Sequence, residues 1–257
     1  MKILLGGALG RMGREVTAAA AEAQVEIVCG VDVAYTGQPS DYPIVTAFDQ
    51  ATQKADVLID FSRPSALPEL LQLVRKEKMP AVLCTTGYNE AELQMIEEAS
   101  REIPVFRSAN MSLGVNVLRH LVQEAARALG EDFDVEIIER HHSKKVDAPS
   151  GTALMLVEAL AVSLPYEPEY VYDRHMVRRP REHREIGISS VRGGTIAGDH
   201  EVLFAGKDEI IELRHCAQSR EVFAAGALKA ARYLAGRDAP GLYGMRDLTN
   251  SLLEAQS

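Results

Sequence analysis

Apolar residues along this chain change their period at intervals, and each change marks an element. Ile3 to Leu5 is a short continuous apolar run of the kind found in strands buried on both faces; a glycine turn follows, then an alanine-rich helix to about Ala23. Val25 to Val31 reads as a second strand ending at Asp32, and Asp56 to Phe61 as another. Leu67, Leu70, Leu71 and Val74 then recur at i, i+3, i+4 and i+7, one face of a helix. Ala81 to Cys84 and Ile103 to Phe106 are strands on either side of a helix that begins at Asn89, where Glu92 completes a capping-box pattern. Alternation of this kind predicts a parallel, doubly wound sheet whose ligands bind beyond the carboxyl ends of the strands.

After Asn110 the pattern changes. Val115 to Leu129 is helical and stopped by Gly130, Val135 to Ile138 is β-branched, and Thr152 to Leu164 returns to helical spacing. Glu185 to Val191, Glu201 to Ala205 and Glu209 to His215 read as strands whose short, glycine-containing connections predict antiparallel neighbours. The fold class is therefore α/β: an N-terminal Rossmann-like doubly wound parallel sheet with a second α+β domain built on an open mixed sheet. One face of that second sheet covers helices and the other needs a partner or water, so self-association through it is expected. Arg174 to Arg184, with His175, His183 and Pro180, reads as a solvated basic loop. Arg220 to Leu234 is an amphipathic helix closed by Gly236, and Gly241 to Asp247 a tail loop.

Composition narrows the function. At 257 residues the chain can bury a sizeable core, and a net charge of -9 argues against general affinity for nucleic acid or anionic membrane. Cys29, Cys84 and Cys216 stand apart without a Cys-x-x-Cys pair, which points to reduced cytoplasm and to neither a disulfide framework nor a thiolate metal site. The opening apolar run is too short for a signal peptide or a membrane span.

Two stretches carry chemistry. Gly7, Ala8, Leu9, Gly10, Arg11 and Met12 join a strand to a helix, and Asp32 closes the next strand. Strand, glycine turn, helix, strand, acid is the order of a dinucleotide-binding unit, in which small residues let a pyrophosphate approach the helix amides and the acid takes ribose hydroxyls. Val33 stands where a site for a 2′-phosphate more often has a basic residue, which leans toward NADH over NADPH, although Arg11 could reach such a phosphate. Thr85-Thr86-Gly87 and Ser108-Ala109-Asn110-Met111 fall at later strand ends, where the nicotinamide half belongs. The second stretch, residues 136 to 152, packs His141, His142, Lys145, Asp147 and hydroxyls around one bend. Ser150 sits where a helix cap belongs, so the amides of Gly151 and Thr152 open toward an anion. The histidines and Lys145 supply protons near neutrality. A hydrolase triad of Ser150, His142 and Asp147 lacks the Gly-x-Ser-x-Gly elbow.

Together these residues resemble the dihydrodipicolinate reductases of lysine and diaminopimelate biosynthesis over nearly the whole chain. Gly7-Ala-Leu-Gly-Arg-Met-Gly13 looks like their cofactor turn, Thr85-Thr-Gly87 and Asn110-Met-Ser-Leu-Gly-Val-Asn116 like their second cofactor loop and hinge, and His141-His-x-x-Lys-Val-Asp-Ala-Pro-Ser-Gly-Thr152 like their substrate motif. The resemblance implies reduction of 4-hydroxy-tetrahydrodipicolinate, a cyclic dicarboxylate, with NADH or NADPH. His141 would be proton donor or acceptor and Lys145 a proton donor. His142, Gly151 and Thr152, with Ser150, would bind substrate. Gly7 to Met12, Asp32, Cys84, Thr85, Thr86 and Ser108 to Met111 would hold cofactor. Cys84 departs from the glycine often found there. The resemblance further implies that residues 1–111 with 220–257 form the dinucleotide-binding domain, that 112–219 form the substrate-binding and oligomerisation domain, and that the chain is a homotetramer. Another Rossmann-domain reductase of amino-acid metabolism and a non-catalytic nucleotide-sensing regulator are the alternatives.

Overall fold

The computed structural model describes residues 1–172, 174, 175 and 178–254. Its chain divides into two compact units, Met1–Leu113 with Arg220–Ser257 and Gly114–Ser219. The first opens with β1 (Lys2–Gly6), α1 (Arg11–Glu22), β2 (Glu26–Val31), β3 (Ile44–Val45), β4 (Val57–Asp60), α2 (Leu67–Glu77), β5 (Ala81–Leu83), α3 (Glu90–Ser100) and β6 (Pro104–Arg107). The second unit follows with α4 (Leu113–Leu129), β7 (Asp134–His141), α5 (Gly151–Ala161), β8 (Glu169–Val171), β9 (Glu185–Arg192), β10 (Gly198–Ala205) and β11 (Ile210–Ala217). The chain then returns to the first with α6 (Glu221–Ala235), β12 (Gly241–Tyr243) and α7 (Met245–Glu254).

Among the described residues the first unit holds a seven-stranded sheet in the order β12-β6-β5-β4-β1-β2-β3, parallel throughout. Alternate residues of its central strands point to opposite faces, which is why these strands read as continuous apolar runs. Ile3, Leu5, Val57 and Ile59 pack under Val16 and Ala20 of α1 and Ala227 and Leu234 of α6. Leu4, Leu58 and Leu83 meet Leu70 and Val74 of α2 and Ile96 of α3 on the other face. Each such buried aliphatic side chain contributes roughly 1.5–3 kcal/mol. The expected cap of α3 forms in full: the Asn89 side chain accepts from the Glu92 amide at 2.9 Å and Glu92 accepts from the Asn89 amide at 2.8 Å. The order reverses between β1 and β4, so the carboxyl ends of these two strands flank the crevice where doubly wound sheets bind ligands.

The second unit is built on a five-stranded mixed sheet in the order β11-β10-β7-β9-β8. Val135, Ile137, Ile186, Ile188, Val202 and Phe204 face Leu118 and Val122 of α4 and Leu156 and Leu160 of α5. On the opposite face Arg140 pairs with Glu201 and Arg214 with Asp199, each at 3.0 Å.

Several expectations are corrected. β9 and β10 are not antiparallel neighbours: β7 lies between them, parallel to β9 and antiparallel to β10, so only the β10–β11 connection is a hairpin. Short links suggest adjacency, but here the earlier strand inserts. β10 also begins at Gly198, ahead of the apolar residues that signal it. Gly241 to Asp247 is not a loop: β12 pairs with β6 and α7 starts at Met245. A three-residue edge strand after Pro240 has too few positions for a period of two to show. The basic run is not simply solvated. Met176 and Val177 lie outside the described residues, but Arg174 and Arg179 pair with buried Glu185, and Arg181 with Asp134 and Glu136.

Candidate active site

Each unit carries a cluster of candidate residues. In the first, Gly7 takes a φ of +73°, and a side chain there would meet the Phe61 carbonyl carbon at 2.8 Å, so only glycine suits the turn. A Cβ at Gly13, buried in α1, would drive into the Gly7 and Ala8 carbonyls. The helix thus starts hard against the strand, and its cap residue Gly10 has no side chain to occupy the first-turn amides. Those amides and the positive end of the helix dipole form an anion cradle that a Cβ would fill, the fit a dinucleotide pyrophosphate requires. Asp32 follows β2; one carboxylate oxygen accepts from the Leu9 amide and the other from the Ala34 amide, both at 2.9 Å. Each oxygen keeps a lone pair for a further donor. A cleft of about 220 Å³ lies here, lined by Gly7, Gly10, Asp32, Val33, Arg63 and Glu69 among others. Larger hollows of about 640 and 740 Å³ include Asp56, Lys78 and Pro80, around the amino ends of the same strands, and lack this helix start.

At the carboxyl end of β4, Asp60 is almost wholly buried and accepts the Thr85 hydroxyl at 2.7 Å and the Ser62 amide at 3.2 Å. Burial raises its carboxyl above the ordinary range, against the pull of those donors. It thereby ties the loops after β4 and β5 together beneath the glycine turn. Cys84 is buried, and burial, then the neighbouring Asp60, pushes its thiol up, which favours the neutral thiol over the thiolate. Thr85 is turned inward, while Thr86 and Gly87 are exposed. After β6, the Ser108 hydroxyl donates to the Asn110 carbonyl at 2.7 Å and the Asn110 side chain accepts from the Ser112 amide at 2.9 Å. Ala109 is exposed, and Met111 is buried with its carbonyl against Gly226, where any side chain would collide.

In the second unit Val135, Ile137, Glu139 and His141 occupy successive buried positions of β7. His141 Nδ1 lies 2.6 Å from Glu139 Oε2. Both oxygens of Glu139 are held by Arg192, at 2.7 and 2.8 Å, and Oε1 also accepts the Ser150 amide at 3.2 Å. Burial alone would raise the Glu139 carboxyl, but donors from Arg192, His141 and Ser190 outweigh it and hold it at about 2. Burial lowers the pKa of His141, with Glu139 opposing. The edge of the His200 ring approaches His141 with centroids 5.1 Å apart, and His200 Nε2 is 2.9 Å from Ser150 Oγ. Burial, then His141, drives the pKa of His200 down to about 4. Ser150 is the cap expected of it: its hydroxyl accepts from the Ala153 amide at 3.1 Å. Gly151 and Thr152 form the first turn of α5, and space around the Gly151 Cα is open. His142 is half-buried, and its carbonyl accepts from the Lys145 amide at 3.1 Å. The Lys145 ammonium pairs with Asp147 at 2.8 Å. One bend therefore brings His141, His142, Lys145 and the α5 start together, with the charge and donors to hold a carboxylate and move a proton.

Known proteins match this arrangement along its length. The family description "Dihydrodipicolinate reductase, N-terminus" fits residues 1–111 and "Dihydrodipicolinate reductase, C-terminus" fits 114–249. The chain belongs to the dihydrodipicolinate reductase family. The 4-hydroxy-tetrahydrodipicolinate reductase of Caldanaerobacter subterraneus subsp. tengcongensis is 51% identical over 249 residues, 96% of this chain and 98% of that one. That of Clostridium tetani is 46% identical over 252 residues, 98% of each. The reductase is thus a pyridine-nucleotide oxidoreductase of lysine and diaminopimelate biosynthesis. Solved structures share its fold at lower identity. The dipicolinate-bound dihydrodipicolinate reductase from Paenisporosarcina sp. superposes with a TM-score of 0.76 at 23% identity, over 95% of this chain and 97% of that one. A probable dehydrogenase from Thermotoga maritima gives 0.63 at 13%, over 98% and 94%.

Gly13, Asp60, Glu139, Arg192 and His200 order these clusters in the reductase yet were not among the candidate site residues, Gly13 being read only as the end of the glycine turn. Two had a local signal. Gly13 completes an i, i+3, i+6 series with Gly7 and Gly10, and Glu139 is a carboxylate on the apolar phase of a strand. Arg192 had none, since it depends on which strands flank β7; His200 lies in Gly198-Asp-His-Glu-Val202, a stretch that resembles the family, but its place beside Ser150 depends on the same strand order.

Proposed function

We propose that the enzyme reduces 4-hydroxy-tetrahydrodipicolinate to tetrahydrodipicolinate, with the second unit binding the diacid ring and supplying the proton. The observation that supports this reading most is the pairing of His141 with Glu139 beside the capped start of α5, an acid–base group next to a carboxylate cradle. One substrate carboxylate docks on the amides of Gly151 and Thr152, helped by Ser150, the Thr152 hydroxyl and His142, and this fixes the ring's orientation. His141 delivers or takes a proton at Nε2 while Nδ1 stays on Glu139. Lys145 is the second proton donor and first has to leave Asp147. Such positioned acids contribute about a hundred- to ten-thousand-fold to rate.

The first unit holds the nucleotide: Gly7 to Met12 take the pyrophosphate, Asp32 the adenosine ribose, and Cys84, Thr85, Thr86 and Ser108 to Met111 the nicotinamide half. When bound, the reduced nicotinamide supplies the hydride. NADH is preferred over NADPH. Asp32 disfavours a 2′-phosphate and Val33, 62% exposed, offers it no cation, leaving Arg11 and Arg63 as partial compensation. Four chains assemble in the cytoplasm through the open face of the five-stranded sheet, which light scattering tests directly.

The deciding experiment is turnover of freshly generated substrate with NADH and NADPH in parallel, followed by nicotinamide absorbance. Expected is rapid oxidation of both, with higher kcat/KM for NADH. Oxidation driven by an acyclic keto acid but not by the cyclic substrate refutes the proposal.

A further inference from the structure

Glu139 has no exposed surface, and an ionised carboxylate so placed is heavily penalised unless each oxygen finds donors. It finds them on three separate elements. Arg192, at the end of β9, grips both oxygens in a bidentate fork; His141 Nδ1 lies against Oε2; the Ser150 amide donates to Oε1 just before α5. Arg192 then donates to the Val191 carbonyl at 2.8 Å and to the Asp147 carbonyl at 2.6 Å, inside the bend that carries Lys145. A single ion pair, its carboxylate wholly buried and its guanidinium partly exposed, therefore links His141, the start of α5 and the lysine bend. A guanidinium suits this task because its planar fork binds a carboxylate with two parallel bonds and still has donors for carbonyls.

We propose that Glu139, clamped by Arg192, is a positioning residue for the proposed reduction: it fixes the proton of His141 on Nδ1 and turns Nε2 out to exchange a proton with substrate. Neutral His141 can satisfy the carboxylate only by donating from Nδ1, because an ionised Glu139 has no proton to give. The other nitrogen faces Gly198, which has no side chain to crowd it: a Cβ there would sit 3.1 Å from Nε2, with His200 Cε1 3.8 Å from the same point. When Nε2 gains a proton the imidazolium is balanced by Glu139 in place, and when it gives the proton up the ring returns to the Nδ1–H form. Glu139 never takes the proton, since Arg192 keeps it ionised.

The inference rests on the function proposed above, and its test separates the two. Groups facing His141 are Glu139 on its own strand, Arg192 on β9, His200 on β10 and Lys145 on the following bend. Of these Glu139 alone favours the imidazolium, so Glu139→Gln makes His141 harder to protonate. Glu139→Gln is expected to lower kcat roughly a hundred- to ten-thousand-fold, to leave the KM for NADH within about twofold, and to move the alkaline limb of the pH profile to lower pH. The double variant Glu139→Gln/His141→Gln should be no slower than His141→Gln, because the first residue acts through the second. Nitrogen-15 NMR of histidine-labelled wild-type enzyme should show His141 as the Nδ1–H tautomer at neutral pH. Wild-type enzyme inert toward the cyclic substrate defeats the function, and the tautomer still decides the geometry. Active wild-type enzyme with an unmoved pH profile in Glu139→Gln, multiplicative losses in the double variant, or an Nε2–H tautomer overturns the inference. If Glu139→Gln does not fold, the tautomer decides.

Discussion

Gly13→Ala sets two physical effects of opposite sign against each other. In an isolated helix the change stabilises, since alanine is favoured over glycine by about 1 kcal/mol. In this protein the new Cβ would lie 2.5 Å from the Ala8 oxygen and 2.7 Å from the Ala8 carbonyl carbon, and closer still to the Gly7 oxygen. Comfortable carbon contacts begin near about 3.5 Å, so α1 and the turn must separate by roughly 1 Å. Backbone on both sides cannot swing aside as a flexible side chain would, and overpacking of this kind costs about 1–3 kcal/mol. Subtracting the helix gain leaves a net loss of about 0–2 kcal/mol in stability. The larger effect falls on the anion cradle. Losing one charge-assisted amide bond to the pyrophosphate is worth about 1.5–3 kcal/mol, or roughly a 10- to 150-fold rise in the Kd for NADH. Titration by nicotinamide fluorescence and thermal unfolding with and without NADH measure the two effects separately. Two further glycines grade the series: at Gly10 a Cβ would be 3.1 Å from the Gly7 oxygen, a smaller penalty, and at Gly236 it meets nothing within 4 Å. The order of NADH affinity should be Gly236→Ala equal to wild type, then Gly10→Ala, then Gly13→Ala. A Gly13→Ala enzyme that melts above wild type and binds NADH undiminished refutes the close-approach reasoning.

His141→Gln should lower turnover by about a hundredfold or more while NADH affinity in a direct titration stays nearly unchanged; weakened nucleotide binding would count against its assignment as a proton carrier. Val33→Arg places a cation after Asp32 and should move the NADPH to NADH ratio of kcat/KM upward by roughly tenfold, a preference read from parallel assays and contradicted by an unaltered ratio. Stability should also fall on acidification in two stages. His200 is buried neutral, its pKa about 4 against an ordinary 6.5, so the unfolded chain binds a proton that the folded one refuses, and stability is lost as pH drops from about 6.5 toward about 4. Glu139, at about 2 against 4.5, extends the loss from about 4.5 downward. Urea midpoints over that range test this, and a His200→Gln profile as steep as wild type between pH 6.5 and 4 would contradict the assignment to His200.

What could be read from the residues alone follows the distance over which each feature is determined. The caps at Asn89 and Ser150 form as expected because each depends on a residue three positions away. The apolar runs of β1 and β4 and the helix face of α2 were equally plain, since burial on both sides of a sheet or on one stripe of a helix leaves a local periodicity. The neighbours of β7 were not. Nothing near Glu139 announces that Arg192, 53 positions later, will clamp it, or that His200 will lie 50 positions beyond Ser150 at hydrogen-bond distance. Those partners are fixed by the insertion of β7 between β9 and β10, the step at which connection length misled. His141 and Lys145 were therefore readable as candidates, whereas Glu139 and Arg192, which hold the His141 ring in place, were not. The same division marks the first unit: Asp32 is signalled by its place after a strand, but Asp60 acquires its role only when the strand order reverses between β1 and β4 and Gly6 leaves no side chain between them. A glycine at position 6 matters for that reason, since a Cβ would sit 2.5 Å from the Asp60 carboxylate. The candidate site residues are thus written locally, while those that hold them in place are chosen by strand order.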